Sequence, residues 1–441
     1  MAGALVTVVR VRLPVHGTKA VAIMSALGLM VVAGACGGSG SGSGAGARRS
    51  ATPSAGRAST TVAPPSPTPT SRVPALVRRL SLQEKVGQLF VPTIAGATSA
   101  RGVATIRKYH LGGVIYFPGN MRTPRQTAEL SNALQRASMK SAGVPLLIST
   151  DEEQGIVSRV PFITRFPTNQ ALAATRDPDA DVRTAARVTA EELRALGINQ
   201  DNAPDADVNV NPRNPVIGVR AFGADPRRVA RLVGVAVDAY RAAGVATVAK
   251  HFPGHGDTDT DSHTGLPVID HSKSRWRSLD APPFAAAIRH GTDAIMAGHI
   301  VMPHLDPSRR PATMSSAVLT GLLRGELGFD GVVITDSMQM EGARLTYGPA
   351  EAAVRAIKAG ADQLLMPVSL SATYAAVLKA VRDGTIPRAR LDRAVTRILR
   401  MKERRGLFGS PYVDVAKAAK IVSSKEHRAA ARRVAAHIRP A

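Results

Sequence analysis

The stretch Lys250-His251-Phe252-Pro253-Gly254-His255-Gly256-Asp257-Thr258-Asp259-Thr260-Asp261-Ser262-His263 holds three histidines, three aspartates and one lysine in fourteen residues. It follows an apolar run, Val245-Ala246-Thr247-Val248-Ala249, that reads as a buried strand. A folded core has no use for so many ionisable groups, because burying them unpaired is costly. Imidazole and carboxylate together can transfer protons or ligate a metal. The metal reading fits poorly. Asp257, Asp259 and Asp261 alternate as in a calcium loop, but the sixth position is Ser262 rather than Gly and the twelfth is Val268 rather than Glu. His251 and His255 are four apart, yet Pro253 and Gly254 between them exclude a helical zinc pair. No metal and no cofactor are expected.

Polar residues also follow other apolar runs. Asp151-Glu152-Glu153-Gln154-Gly155 follows one, with Arg159 shortly after. Asp205-Ala206-Asp207-Val208-Asn209 follows another, His299 a third, and Asp336-Ser337-Met338 follows Gly331–Thr335. Taken alone, Asp336 could be a helix N-cap. The repetition over several strand ends points instead to one site, since catalytic groups of a barrel sit where its strands end.

The elements that must position these residues alternate. Strands are expected at Gln88–Val91, Gly113–Phe117, Pro145–Ser149, Asn199–Ala203, Ala246–Ala249, Ala294–Ala297, Val332–Thr335 and Gln363–Met366. Helical patterns intervene at about 123–142, 179–195, 226–243, 281–290, 315–326, 350–359 and 370–381. Such alternation implies a parallel sheet. Eight strands in about 300 residues favour a single (β/α)8 barrel. A doubly wound open sheet is the runner-up, although no Gly-x-Gly-x-x-Gly turn opens the first helix. The barrel should span 74–406, with a capping box at Ser81–Glu84 near its start and Leu391–Arg404 as its closing helix. Residues 407–441 read as a basic tail, either one helix on the barrel or a loose segment.

The first 36 residues read as targeting rather than fold. Arg10, Arg12 and Lys19 precede an apolar Ala20–Ala35 stretch too short for a comfortable span. Ala33-Gly34-Ala35-Cys36 resembles a bacterial lipobox, which would make Cys36 a lipidated first residue; a plain secretory signal is the rival. Cys36 is the only cysteine, so no intrachain disulfide forms. Residues 37–73 are mostly Gly, Ser, Ala, Pro and Thr, the composition of a disordered linker. The expected location is outside the cell, anchored to the membrane and facing the wall, or else secreted. The chain's net charge of +24 suggests nucleic acid at first, but aromatics make up only 4% and stacking platforms are scarce. Anionic wall polymers and lipid head groups are what an exported chain meets. No nucleic-acid partner is expected, and a monomer is.

Lys250–Gly256 followed by Asp261-Ser262-His263, together with Ile334-Thr335-Asp336-Ser337-Met338, resembles glycoside hydrolase family 3 over about residues 75–405. More narrowly it is similar to the β-N-acetylhexosaminidase branch that acts in peptidoglycan turnover. The resemblance implies Asp336 as nucleophile, His263 as general acid/base and Asp261 as the partner of His263. It implies that Lys250, His251, Asp151, Arg159 and Arg220 hold a terminal N-acetylglucosamine. Asp151-Glu152-Glu153-Gln154-Gly155 departs from the commoner Asp-x-Glu-Gly-Gly form, which makes the shape of that loop uncertain. The activity implied is exo-acting, retaining removal of N-acetylglucosamine from peptidoglycan fragments through a covalent glycosyl-enzyme. Imidazole suits proton transfer near neutrality, and Gly254 and Gly256 are expected to let its loop swing. The alternatives are a non-catalytic wall-binding lipoprotein, a β-glucosidase, and a phosphorylase, since a neutral imidazole does not repel phosphate. His299 lines the pocket or is a satisfied strand-end histidine. Trp276 lies on the surface or packs on the outer helices.

Overall fold

The computed structural model describes residues 71–438, and Cys36, the targeting segment and all but the end of the linker lie outside them. Eight short strands carry the architecture: β1 (Phe90–Val91), β2 (Gly113–Ile115), β3 (Leu147–Thr150), β4 (Gln200–Asp201), β5 (Ala246–Phe252), β6 (Ala294–Ala297), β7 (Val332–Thr335) and β8 (Leu364–Leu365). Strands β2 to β7 form one parallel sheet in chain order, and β1 pairs with β8. Parallel bridges Thr93–Ile115 and Ile334–Gln363 join that pair to the two sheet edges, so the strands follow one another round a ring. The strands are nearly continuous apolar runs because both faces are covered. Val114, Ile148, Val248, Ile295, Val333 and Leu364 are all fully buried.

The outer helices start where the sequence provides caps. Ser81 closes a capping box with Glu84, and Thr123, Asp177, Asp225, Ser272 and Ser369 each accept a backbone N–H of the following turn. Proline stands in the first turn of Pro124–Ser141, Pro178–Ala195 and Pro226–Ala242, where its missing N–H costs nothing.

Three features differ from the sequence reading. First, β5 continues through Lys250 and His251, so these lie on the strand rather than past its end. Second, a short antiparallel hairpin, Glu152–Gln154 with Val157–Ser158, follows β3. Third, the segment after 406 packs on the barrel's helices, as one of the two readings has it, but not as a single helix. It forms two helices, Val415–Ile421 and Lys425–Ala436, with Ala418, Val422, Ala430 and Val434 buried. The spacing of these small apolar residues gives each helix one buried stripe. Buried Glu192 fastens them by accepting from Ser423 N–H at 2.9 Å and from His427 Nδ1 at 2.8 Å.

Candidate active site

A cleft of about 590 Å³ opens at the C-terminal ends of the strands. Asp151, Arg159, Arg220, Lys250, His251, Asp261, His263 and Asp336 all line it. The sequence scattered these eight residues over nearly 190 positions; the barrel brings them to one face.

The floor is a charge network built around a residue the sequence reading left unassigned. Glu153, on the hairpin after β3, accepts Arg220 Nε and Nη2 in a two-pronged pair, each at 2.8 Å. Its Oε1 also lies 2.6 Å from Lys250 Nζ, which reaches Asp151 Oδ1 at 3.1 Å. Burial alone would raise the carboxyl of Glu153, but Arg220 and Lys250 outweigh it and hold the group below its usual range. Burial works against charge on Lys250 too, and Asp151 and Glu153 outweigh it, keeping the ammonium charged. Arg159 lies over the Phe117 ring at 5.9 Å, and its buried Nε has no hydrogen-bond partner among the described residues.

His251 is oriented from behind. Its Nδ1 donates to Asp207 Oδ2 at 2.7 Å, and Asp207 Oδ1 accepts the backbone N–H of His255 at 2.7 Å. That bond assigns the proton to Nδ1 and leaves Nε2 for the cleft. Asp207 is held low because the two histidines outweigh its burial. Asp205, Asp207 and His251 bring three potential ligand atoms within 4.8 Å of one another. Asp207 is already saturated by donors, and the Arg220 guanidinium stands 3.8 Å from Asp205. A fixed cation at that distance opposes a second one, so the group is an orienting hub rather than a cation cage.

Asp336 follows β7 and faces the cleft, with Oδ1 accepting the N–H of Ser337 at 2.7 Å. Burial pulls its carboxyl up, while His251, His299, the Ser337 N–H and Lys250 pull it down and prevail. The group is therefore ionised at neutral pH. On the same cleft, His263 Nδ1 and Asp261 Oδ1 are 2.7 Å apart, and the same oxygen accepts the His263 N–H at 2.8 Å. The His263 side chain is 59% exposed, on a loop at the rim. Burial of Asp261 is outweighed by these bonds, and its carboxyl sits below the usual range.

His299 is not in the cleft wall. It is buried, with Nε2 donating to Ser337 O and Nδ1 against Thr313 Oγ1, both at 3.0 Å. Trp276 is fully buried under β5, and its indole N–H donates to Pro253 O at 3.0 Å. Gly254 and Gly256 sit where no side chain fits: a Cβ at Gly256 would stand 1.9 Å from Val208 O, and one at Gly254 2.7 Å from Asp280 Oδ1.

The family follows from this framework. The model of the glycosyl hydrolase family 3 N-terminal domain matches residues 81–401, and the chain belongs to that family. It is 42% identical to beta-hexosaminidase A of Pseudoalteromonas piscicida over 281 residues, 60% of this chain and 47% of that protein. It is 33% identical to beta-hexosaminidase LpqI of Mycobacterium tuberculosis over 396 residues, 87% of this chain and 97% of that one. A solved family 3 beta-N-acetylglucosaminidase from Paenibacillus superposes with a TM-score of 0.78 at 43% identity, covering 81% of this chain and 69% of that chain. The chain thus spans about half the length of the Pseudoalteromonas relative.

Proposed function

We propose that the chain is an exo-acting, retaining β-N-acetylglucosaminidase that removes terminal N-acetylglucosamine from peptidoglycan fragments. The observation that carries this reading is the placement of Asp336 and the Asp261–His263 couple on one cleft whose floor is a fixed array of cations and carboxylates. The names of the relatives support a hexosaminide substrate, and that of the Paenibacillus protein supports the N-acetyl sugar.

In this reading Lys250, Arg220, Arg159 and Asp151 hold the hydroxyls of the terminal sugar with charge-assisted bonds. Asp336 attacks the anomeric carbon as the bond to the leaving oxygen breaks, and the His263 imidazolium gives its proton to that oxygen. Asp261 stabilises the imidazolium and fixes its ring, as a carboxylate does in other histidine-centred sites. Neutral His263 then takes a proton from water as the water displaces Asp336. A histidine thus fills the place where the usual mechanism has a second carboxylic acid. Export, and attachment through Cys36, belong to the same reading and rest on the sequence of the first 36 residues.

The test is incubation with a fluorinated N-acetylglucosaminyl inactivator and mass mapping of the label. Label on Asp336 supports the reading, and label elsewhere ends it. Analysis of products from disaccharide muropeptides, with and without phosphate, reads the substrate and separates free sugar from sugar phosphate.

A further inference from the structure

The loop that carries Asp261 and His263 leaves the barrel after Gly256 and returns at Pro267, where Val301 N–H bonds to Pro267 O and Ile269 N–H bonds to Val301 O, both at 2.9 Å. Most of its ties are neutral: His255 Nε2 lies 2.9 Å from Ser262 Oγ, and Gly342 N–H reaches Ser262 O at 3.3 Å. Its outer ion pair, Asp259 with Arg213 at 4.0 Å, is exposed on both sides, where such a pair contributes little.

One tie is different in kind. His271 is buried just beyond the loop's return, and each ring nitrogen faces a carboxylate. Its Nε2 lies 2.9 Å from Asp257 Oδ2 on the outgoing arm, and its Nδ1 lies 2.7 Å from Asp280 Oδ2. An ionised carboxylate only accepts, so with both ionised each ring nitrogen donates and the ring is an imidazolium; burial raises Asp280, and its bond to His271 pulls it part of the way back down. Asp280 is itself buried at the junction of helices Lys273–Leu279 and Ala281–Arg289. It packs against Gly254, where a Cβ would stand 2.7 Å from Asp280 Oδ1. Trp276 of the same helix pair holds the Pro253 carbonyl. The helix pair therefore grips the chain just before His255, at Pro253 and Gly254, and His271 is the charged link between that grip and the loop beyond.

We propose that His271 is a positioning residue for the proposed reaction: clamped between Asp257 and Asp280, it fixes the loop that presents Asp261 and His263 over the cleft. The charges around it agree. The bond to Asp280 foremost, then that to Asp257, raise His271 above the ordinary imidazole range against its burial. The other charged groups nearby are otherwise engaged: Asp270 with His304 at 3.1 Å, Lys273 with Glu326 at 3.1 Å, and Asp207 with His251.

The inference rests on the acid/base reading of His263, and its test separates the two. Hydrolysis is measured for a series of aryl β-N-acetylglucosaminides, from dinitrophenyl, which needs no proton, to methoxyphenyl, which needs one. His271→Ala and Asp257→Ala are each made alone and in a His263→Ala background. Both single variants should lose about 10-fold in kcat/KM on methoxyphenyl and less than about 2-fold on dinitrophenyl, since misplacing a catalytic group costs most where it acts. Neither should lose more when His263 is already gone. Equal losses on both substrates, no loss, or losses that add to that of His263→Ala would overturn the proposal. Should His271→Ala fail to fold, the half-buried arm, Asp257→Ala, decides by the same criteria. A flat leaving-group dependence in His263→Ala alone would instead remove the acid/base reading beneath it.

Discussion

At the N-terminal end of the strands, buried Asp362 accepts Arg324 at 2.7 Å, Arg390 at 3.1 Å and the Val333 N–H at 3.0 Å, with Arg397 at 3.6 Å. Beside it Asp293 faces Arg405 at 3.2 Å. At the C-terminal end, Asp336 holds one bond to its own neighbour's N–H and turns toward an open cleft. Both ends hold buried carboxylates in direct ion pairs, Glu153 with Arg220 and Lys250 at the top as Asp362 with its arginines at the bottom, but Asp336 itself has no such partner among the described residues. A site must leave part of its charge unspent, because a carboxylate fully engaged by arginines has no lone pair to offer an anomeric carbon. The bottom of the barrel therefore serves stability and the top serves chemistry.

Removing the unspent charge should separate these roles most sharply. Asp336→Asn is expected to lower kcat by at least about 10⁴-fold, as loss of a nucleophile does, while the melting temperature stays level or rises. A variant that unfolds, or that keeps a tenth of the activity, would break the contrast. His263→Ala comes next, with a loss of about 10²–10⁴-fold on substrates with poor leaving groups. Its melting temperature should hardly change, since the ring is mostly exposed.

The reverse experiment belongs to the other end. Asp362→Ala strands Arg324 and Arg390 without their buried partner, and breaking such a pair costs about 3–5 kcal/mol. Chemical denaturation should show that loss, with kcat per folded molecule unchanged. A drop in kcat at constant stability would mean that the bottom of the barrel reaches the site.

These contrasts mark what was visible in the chain beforehand. The eight strands were legible because a parallel strand buried on both faces writes itself as a short apolar run, as Val332–Thr335 does. The residues lining the cleft were legible because ionisable groups after such runs have few other uses. Glu153 was not: three acids stand together at 151–153, and only the hairpin decides which one meets Arg220 and Lys250. Asp207 was hidden in the same way, since orienting His251 depends on a contact across 44 positions. Asp362 sits inside an apolar stretch, and two of its arginine partners, Arg390 and Arg397, lie on a helix crowded with other basic residues. The two C-terminal helices bury mostly alanine and valine, which gives a weak apolar pattern amid many lysines and arginines.

Glu152 tests the comparison at its finest, because it is as buried as Asp362 yet has no arginine side chain bonded to it among the described residues. Its carboxylate accepts the N–H groups of Arg159 and Val160, each at 2.9 Å, and the Ser158 hydroxyl. Burial exceeds these bonds and the distant pull of Arg165, and its pKa rises from 4.5 to about 7. The folded state then binds the proton more tightly than the unfolded chain. Stability attributable to Glu152 is accordingly full below pH 4.5 and is lost as pH climbs to 7, by roughly 3 kcal/mol at most. Nearby Asp201, also raised by burial, adds a slope of the same sign. Glu152→Gln should therefore flatten only part of the stability–pH curve: somewhat less stable than the parent at pH 5, equal or more stable at pH 8. Two parallel curves across that window would show that the hairpin's backbone N–H groups neutralise a buried carboxylate as well as the arginines do at the opposite end, and the distinction between the two ends would then rest on the cleft alone.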